Sequence, residues 1–258
     1  MDNTNPVPPR IPPPYPQPAP APPPEPLGAR LEEREPIRGA VAAVDAILRT
    51  PRRVMYQVRQ PGPGGLILGM LFAVVLCSLI YGVIVGTFSN GTQLWAAPAK
   101  IAGGLLVSAL ICLPSLYIFT CLSGSQARLA EICGLLAGML LLTSILLIGF
   151  APVAWLFSQS TDSAAWMGAL HLLFWFIATF FGLRFLDSAF TDSRVRSKAG
   201  LSTWMLIFVL VALQMTTALR PIVGTSPTFL PTEKKFFVAY WGDCLKPSVE
   251  GALPSSAR

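Results

Sequence analysis

Charged residues are scarce in this chain of 258 residues. Only 12% of them are Asp, Glu, Lys or Arg, against about 25% in a typical soluble domain. So few charges cannot cover a water-facing surface, which argues against an ordinary soluble enzyme and a wholly disordered protein. The net charge of +6 does not indicate nucleic-acid binding either, because thirteen of the nineteen Lys and Arg lie in the N-terminal region or in two loops. A membrane explains such a distribution.

Patterns for catalysis and metal binding are also missing. The chain has one His, and none of its five cysteines forms a Cys-x-x-Cys pair or a zinc spacing. No nucleophile elbow, zinc-protease motif or phosphate-binding loop occurs. The apolar runs offer no pair of carboxylates at a shared depth for acid–base work. We therefore predict a protein that is not an enzyme and that uses no cofactor or metal.

Long hydrophobic runs dominate what is present. Apolar residues make up 53% of the chain, and its mean hydropathy is +0.57. Five runs approach the ~20 residues that a bilayer core requires, and none carries a charge near its centre. The sequence predicts an all-α, polytopic transmembrane bundle between residues 65 and 222, with five spans: Gly65 to Phe88, Ile101 to Leu122, Leu129 to Phe150, Ala165 to Leu186, and Leu201 to Leu219.

Two prolines are expected to shape these spans. Pro152 favours an end of the third span before it, with continuation to Trp155 as the alternative, and Pro114 predicts a kink inside the second span. Lys100 is assigned to the loop before the second span.

Proline dominates residues 1–28, where thirteen of the first 26 residues are Pro. Such a segment favours an extended, solvated polyproline II conformation, so we predict a disordered arm. Stretches such as Pro12-Pro13-Pro14-Tyr15-Pro16 resemble ligands of aromatic-lined peptide-binding modules, which makes a protein partner for the arm one hypothesis. A spacer that binds nothing is the alternative.

Residues 29–60 change to an amphipathic composition. Apolar residues at helical spacing predict a single stripe before Pro51, formed by Ile37, Val41, Val44, Ile47 and Leu48. Arg52, Arg53 and Arg59 follow. A basic amphipathic segment just before a span is typical of an interfacial helix, so we expect these arginines to contact anionic lipid headgroups. A helix that docks a soluble partner is the alternative.

The distribution of Lys and Arg predicts the orientation. Eight Arg precede the first span, whereas the loops assigned to the opposite side carry only Lys100. By the positive-inside rule the N-terminus is cytoplasmic and, with five spans, the C-terminus is extracytoplasmic, in a bacterial inner membrane. Trp204 is expected near the inner boundary. Residues 223–258 are predicted to be an outer tail with an aromatic interfacial helix containing Phe236, Phe237, Tyr240 and Trp241.

Few polar side chains are predicted at membrane depth. A polar residue in hydrocarbon needs a partner, so each of them is a candidate for function. His171 is expected to pair with Trp175 or with a neighbouring helix. Gln214 either joins helices by hydrogen bonds or belongs to a small polar cavity. The full predicted cluster is Lys100, His171, Gln214, Thr217 and Arg220.

Glycines spaced four apart occur in the first and third spans. Such pairs allow helix backbones to approach closely, so they predict helix-packing sites at the centre of the bundle. The pairs are Gly65 and Gly69, Gly82 and Gly86, and Gly134 and Gly138.

Several of these residues together resemble bacterial Yip-type membrane proteins. The similarity covers residues 50 to 222 and is carried by Pro51-Arg52-Arg53, Tyr81-Gly82 through Gly86, Gln93, Lys100, Cys112-Leu113-Pro114-Ser115 and Gly124. The resemblance implies five spans and a cytoplasmic N-terminus. It implies a fold more than a function, since the bacterial members it points to are uncharacterised.

Two functions fit these features. A membrane scaffold or adaptor, possessing an arm and a neck that recruit partners, suits spans that are nearly free of polar groups. A small transporter or channel, lined by Gln214, Thr217 and Arg220, is the alternative. An odd span count without an internal repeat disfavours the inverted-repeat transporters, although a homo-oligomer could build a pore.

Overall fold

The computed structural model describes residues 25–89, 93–160, 164–191 and 199–218. Across those ranges every regular element is an α-helix. The eight helices are α1 (Leu31–Arg34), α2 (Ala40–Arg49), α3 (Pro51–Val58), α4 (Gly64–Ser89), α5 (Gln93–Leu122), α6 (Leu129–Ser158), α7 (Ala164–Thr191) and α8 (Ala199–Ala218).

The last five helices are long and apolar enough to cross a membrane. Their lengths of 20 to 30 residues meet or exceed the ~20 residues required to span a hydrocarbon core. A helix satisfies all of its interior backbone hydrogen bonds by itself, which makes it one of the few structures that can enter lipid. The expected all-α fold with five helices able to span a membrane is therefore confirmed for the described residues, and the chain is an integral membrane protein.

The spans pack in an order that differs from their order in the chain. α4 packs against α5 and α6, while α7 packs against α6 and α8 packs against α5. Helix α6 is the most enclosed, with 67% of its most apolar window buried. We call the end of the bundle where α4 and α6 begin the neck end, and the opposite end the far end.

Two helices extend beyond their predicted limits. α6 continues through Pro152 to Ser158, so the expected break at this proline is wrong. Continuing the helix keeps the backbone groups that follow Pro152 paired, which matters more in lipid than the one hydrogen bond that proline removes. α5 begins at Gln93, so Lys100 lies two turns inside a helix rather than in a loop.

Pro114 also lies inside a helix, since α5 is continuous from Gln93 to Leu122. The kink expected there stays a prediction.

Residues 25–60, which we call the neck, contain α1, α2 and α3. Gly39 has a φ of +85° and stands directly before α2. Ile37 therefore precedes that helix, and the single stripe expected from the sequence is divided. Ile37 and Ile47 are buried, whereas Val41 and Leu48 are exposed.

Two hydrophobic clusters fill the interior of the described residues. The larger one lies toward the neck end and joins α2 and α3 to the spans, through residues such as Ile47, Val54, Leu135 and Phe185. The smaller one lies in the far half and contains Tyr81, Val85, Leu147, Ala151, Ala154, Met167, Phe174 and Ala178. The neck thus forms part of the main core.

Candidate functional site

Glu33 is the central charged residue of the neck. Its side chain is buried, although the short helix α1 that carries it lies outside the spans. Arg52 of α3 donates from Nε to Oε1 of Glu33 at 2.7 Å, and the backbone N–H of Gly28 donates to Oε2. Burial alone would raise the pKa of Glu33, but these hydrogen bonds and the charge of Arg52 lower it. Glu33 is therefore held ionised.

The chain before α1 is fixed by the same region. Gly28 has a φ of +83°, and a Cβ at this position would overlap the ring of Tyr56. Glycine is required there both by the backbone conformation and by the close approach of the ring. Arg34 donates to the Gly28 carbonyl at 2.7 Å, and Arg52 donates to the Glu25 carbonyl at 2.8 Å.

The segment between α1 and α2 is held by side chains of α3. The Gln57 carbonyl oxygen accepts a hydrogen bond from the Ile37 N–H at 2.8 Å, while its amide nitrogen donates to the Glu35 carbonyl. Arg53 donates from Nε to that carbonyl at 3.0 Å and lies 3.5 Å from the Glu35 carboxylate. Polar side chains thus replace a regular backbone ladder along this segment.

Arg59 joins the neck to two spans. Its Nε lies 3.0 Å from Oε1 of Glu131 in the first turn of α6, and a terminal nitrogen donates to the Ala189 carbonyl near the end of α7 at 2.9 Å. Arg128 donates in turn to the Arg59 carbonyl at 2.9 Å. A guanidinium has several donors in a fixed plane, so one side chain can bridge these elements.

Apolar contacts also join α3 to the bundle. Val54, Met55 and Val58 of α3 are buried in the main core. A Cβ on Gly134 of α6 would overlap the Val58 side chain, so the glycine leaves the space that Val58 fills. The basic segment is therefore packed on the bundle through its apolar face.

This packing changes how the three arginines of the sequence prediction are understood. Arg52 pairs with Glu33, Arg53 with Glu35, and Arg59 with Glu131. Each one therefore has a carboxylate within the protein. Contact with anionic lipid headgroups stays a prediction for them.

A second polar site lies in the far half, between α4 and α7. Tyr81 and His171 share a hydrogen bond of 2.7 Å between the hydroxyl and Nδ1. His171 thus pairs with a neighbouring helix, which was one of its two predicted partnerships. Among the described residues, His171 Nε2 and the hydroxyl of Ser78 are buried without a hydrogen-bond partner. Ser78 precedes Tyr81 by about one turn of α4.

The predicted polar cluster is spread over several helices. Lys100 is 2% exposed on α5, Gln214 is half-buried on α8, and His171 is on α7. Because α8 packs on α5 while α7 packs on α6, no single helix pair unites these three residues. Arg220 and the side chain of Thr217 lie outside the described residues, as do residues 90–92, most of the proline-rich arm and the aromatic tail.

The glycines expected at helix contacts differ from one another. A Cβ on Gly82 would overlap the backbone of Pro98, so α4 and α5 meet closely there. A Cβ on Gly138 would stand 2.9 Å from the ring of Phe185, and one on Gly69 would stand 3.7 Å from the backbone of α2. Gly86 is buried, whereas Gly65 has open space around it.

Trp204 makes a contact between two spans that was not predicted from the sequence. It is fully buried and donates from Nε1 to the Cys112 carbonyl at 2.9 Å, while its position near the inner membrane boundary stays a prediction. This bond links α8 to α5 close to Pro114. A tryptophan near a helix start is typical of the membrane interface, and only the fold shows which group it donates to.

Comparisons with known proteins add no relative. Neither the protein-family models, nor the curated proteins, nor the solved structures contain a significant match to this chain. In the part of the chain that the structure describes, no group of three or more His, Cys, Asp or Glu residues could hold a metal ion. The neck junction and the Tyr81–His171 pair are therefore the two candidate sites.

Proposed function

We propose that this protein is a membrane scaffold or adaptor whose neck presents the proline-rich arm to soluble partners. One observation carries the proposal: the neck is bound to the bundle by a buried apolar face and by Arg59, which contacts both α6 and α7. A flexible tether would need neither the buried apolar face nor the contacts of Arg59. The arm therefore starts from a fixed point on the membrane surface.

The proposal includes an orientation and a location. We place the neck and arm in the cytoplasm and the C-terminus on the opposite side, in a bacterial inner membrane, as the excess of Arg before α4 favours. The Yip-type resemblance belongs to the same proposal, since it implies five spans and a cytoplasmic N-terminus. Reporter fusions at both termini test the orientation, and two reporters in one compartment would contradict it.

A pull-down from native membranes tests the recruiting role. The full chain is compared with a variant that lacks residues 2–24, because this deletion retains Glu25 and Gly28 and so preserves the neck contacts. We expect soluble partners to be lost with the arm. Identical partner sets would overturn the proposal. Arg59→Gln loosens the neck but keeps the arm. This variant therefore distinguishes partner recruitment that needs a fixed neck from binding by the arm alone.

A transporter or channel is the second candidate, and the Tyr81–His171 pair favours it. Polar groups that are buried at membrane depth are costly, so they commonly mark pathways for ions or solutes. Here a phenol, an imidazole and the Ser78 hydroxyl lie within about a turn of each other in the far half.

Flux into proteoliposomes tests this second candidate. A panel of cations, anions and small neutral solutes is measured with the wild type, His171→Leu and Gln214→Leu. A flux that falls in either variant supports a pathway, and Leu173→Ala on the exposed side of α7 is the control. Wild-type vesicles that pass none of the solutes would remove this candidate.

A further inference from the structure

Helix α2 has three different faces. Ala43, Ala46 and Ile47 are buried against the bundle. Val41 and Leu48 are on the outside, 84% and 51% exposed. They are seven residues apart, so they lie within about 20° of each other around the helix. An apolar strip thus remains uncovered after the neck has packed.

The third face of α2 is charged. Asp45 and Arg49 form an ion pair of 2.8 Å, and both are exposed. At 3.6 residues per turn they lie about 40° and 80° beyond Val41. A helix at the surface of a membrane contacts the protein with one face, the acyl chains with a second and water with a third, so it needs one buried, one apolar and one charged face. A helix whose outer side is in water needs no exposed apolar strip.

The contacts of α2 fix its level along the spans. The Ala40 backbone stands 3.7 Å from the position of a Cβ on Gly69, which is five residues after the start of α4. Ile47 stands 3.7 Å from the equivalent position on Gly138, nine residues after the start of α6. α2 therefore lies beside the spans, and its contacts are farther from the neck end than the first turns of α4 and α6.

The lengths of the spans place the membrane boundary at this same level. About 20 residues suffice to cross the hydrocarbon core. About 20 residues separate Gly69 from the end of α4, and about 20 separate Gly138 from the end of α6. On α7, Phe185 faces Gly138 and stands about 20 residues after the helix begins. The adjoining Arg184 is exposed, as a charged side chain near a boundary should be.

We infer that α2 lies in the neck-side leaflet of the bilayer, where Val41 and Leu48 contact acyl chains and Asp45 and Arg49 face the headgroups. The neck-side turns of α4, α6 and α7 then stand outside the hydrocarbon and are covered by the neck. The acyl-chain contact of the neck is thus made by α2, whereas α3 packs on the bundle through its buried face and pairs its half-buried arginines with carboxylates. This inference does not rest on the proposed adaptor function.

Spin labels on α2 test the inference. Single cysteines replace Val41, Leu48, Asp45 and Arg49 in a variant whose five native cysteines are changed to Ala, reconstituted in phosphatidylcholine and phosphatidylglycerol vesicles. Power saturation compares collisions with oxygen, which concentrates in lipid, and with a water-soluble nickel chelate. We expect oxygen to dominate at positions 41 and 48, and nickel to dominate at positions 45 and 49.

Two results would overturn the inference. Nickel accessibility at all four positions would place α2 in water, and protection from both reagents at 41 and 48 would indicate a protein partner such as a second copy. If the cysteine-free variant does not fold, a benzophenone amino acid at position 41 or 45 of the otherwise native chain replaces the labels. Mass spectrometry should then find lipid adducts at position 41 in clear excess over position 45, and equal yields would contradict the assignment.

Discussion

The neck half and the far half of the bundle are stabilised by different means. In the neck half, α2 and α3 add an apolar layer to the spans, and Arg59 connects that layer to Glu131 and Ala189. In the far half, the spans contact one another through a smaller apolar cluster and the Tyr81–His171 hydrogen bond. Ion pairs therefore join the elements of the neck half, whereas close helix contacts occur in both halves, at Gly134 as well as at Gly82.

The difference follows from what surrounds each half. Near the neck end, water is available on one side, so ion pairs that are partly exposed can form without the full cost of burying charge. Deep in the bundle that cost is high, so small residues with a few hydroxyl and imidazole groups provide contacts there, and the buried Lys100 of α5 is a charged exception. The same substitution should therefore have unequal effects in the two halves.

Adding one methyl group in each half should produce the largest difference. Gly82→Ala places a Cβ against the backbone of Pro98, which cannot move without separating α4 from α5. Gly138→Ala meets the edge of the Phe185 ring at 2.9 Å, and a ring can tilt away. We expect Gly82→Ala to destabilise the protein by about 1–3 kcal/mol and Gly138→Ala by less. Thermal unfolding in detergent measures both.

Gly103→Ala is the matched control for these two variants. Gly103 is in the helix interior of α5 and has nothing within 4 Å of its Cβ position. Alanine is the better helix former, so the control should keep or slightly raise the Tm. A Tm for Gly82→Ala equal to that of Gly103→Ala would show that the close contact is not there.

Removing the connection between neck and spans should have the next largest effect. Arg59→Gln leaves the partly buried Glu131 without its charged partner, at a cost of about 1–3 kcal/mol. Hydrogen exchange should increase in α3 and at the end of α7 but not around Tyr81. A double-mutant cycle with Glu131→Gln measures the coupling. Strictly additive effects of the two substitutions would contradict the pair.

Acid should loosen the neck through Glu33. Its pKa is lowered in the folded protein, so the stabilisation is present above the unfolded pKa of about 4.3 and is lost as the pH falls through the lower folded value. Hydrogen exchange of α1 should thus be constant from about pH 8 to pH 5 after correction for intrinsic rates, and should rise below about pH 4.

Glu33→Gln tests the same contact at neutral pH. It should cost about 1 kcal/mol and remove the acid response of α1. Glu32→Gln is the control, because Glu32 is exposed on the same helix. An acid response that survives in Glu33→Gln would assign it to another carboxylate.

Span number and span position could be predicted because they depend on composition alone. A run without charges must enter lipid wherever its neighbours lie, so the five spans appear within a few residues of their predicted limits, apart from the early start of α5 and the late ends of α6 and α7. Continuation past Pro152 was the less favoured alternative, because proline was treated as it acts in water, where an interrupted helix can bond to solvent.

Contacts between distant segments could not be predicted in the same way. The arginines of α3 have the same sequence signature whether they face lipid or carboxylates, and Glu33 and Glu131 become their partners only through the fold. Likewise, Ile47 and Val41 belong to one periodic pattern, yet one packs on Gly138 and the other is exposed. A single sequence shows which faces are apolar, but not what covers them.

The smallest expected effect lies in the far half. Tyr81→Phe removes the hydroxyl that pairs with His171 and retains the ring, so it should cost about 0.5–1.5 kcal/mol. Tyr117→Phe on an exposed side of α5 is the control and should be neutral. Because the neck is held by its own contacts, hydrogen exchange of α3 should not change in either variant. Increased exchange in α3 of Tyr81→Phe would mean that the two halves are coupled. They would then not be stabilised by separate sets of contacts.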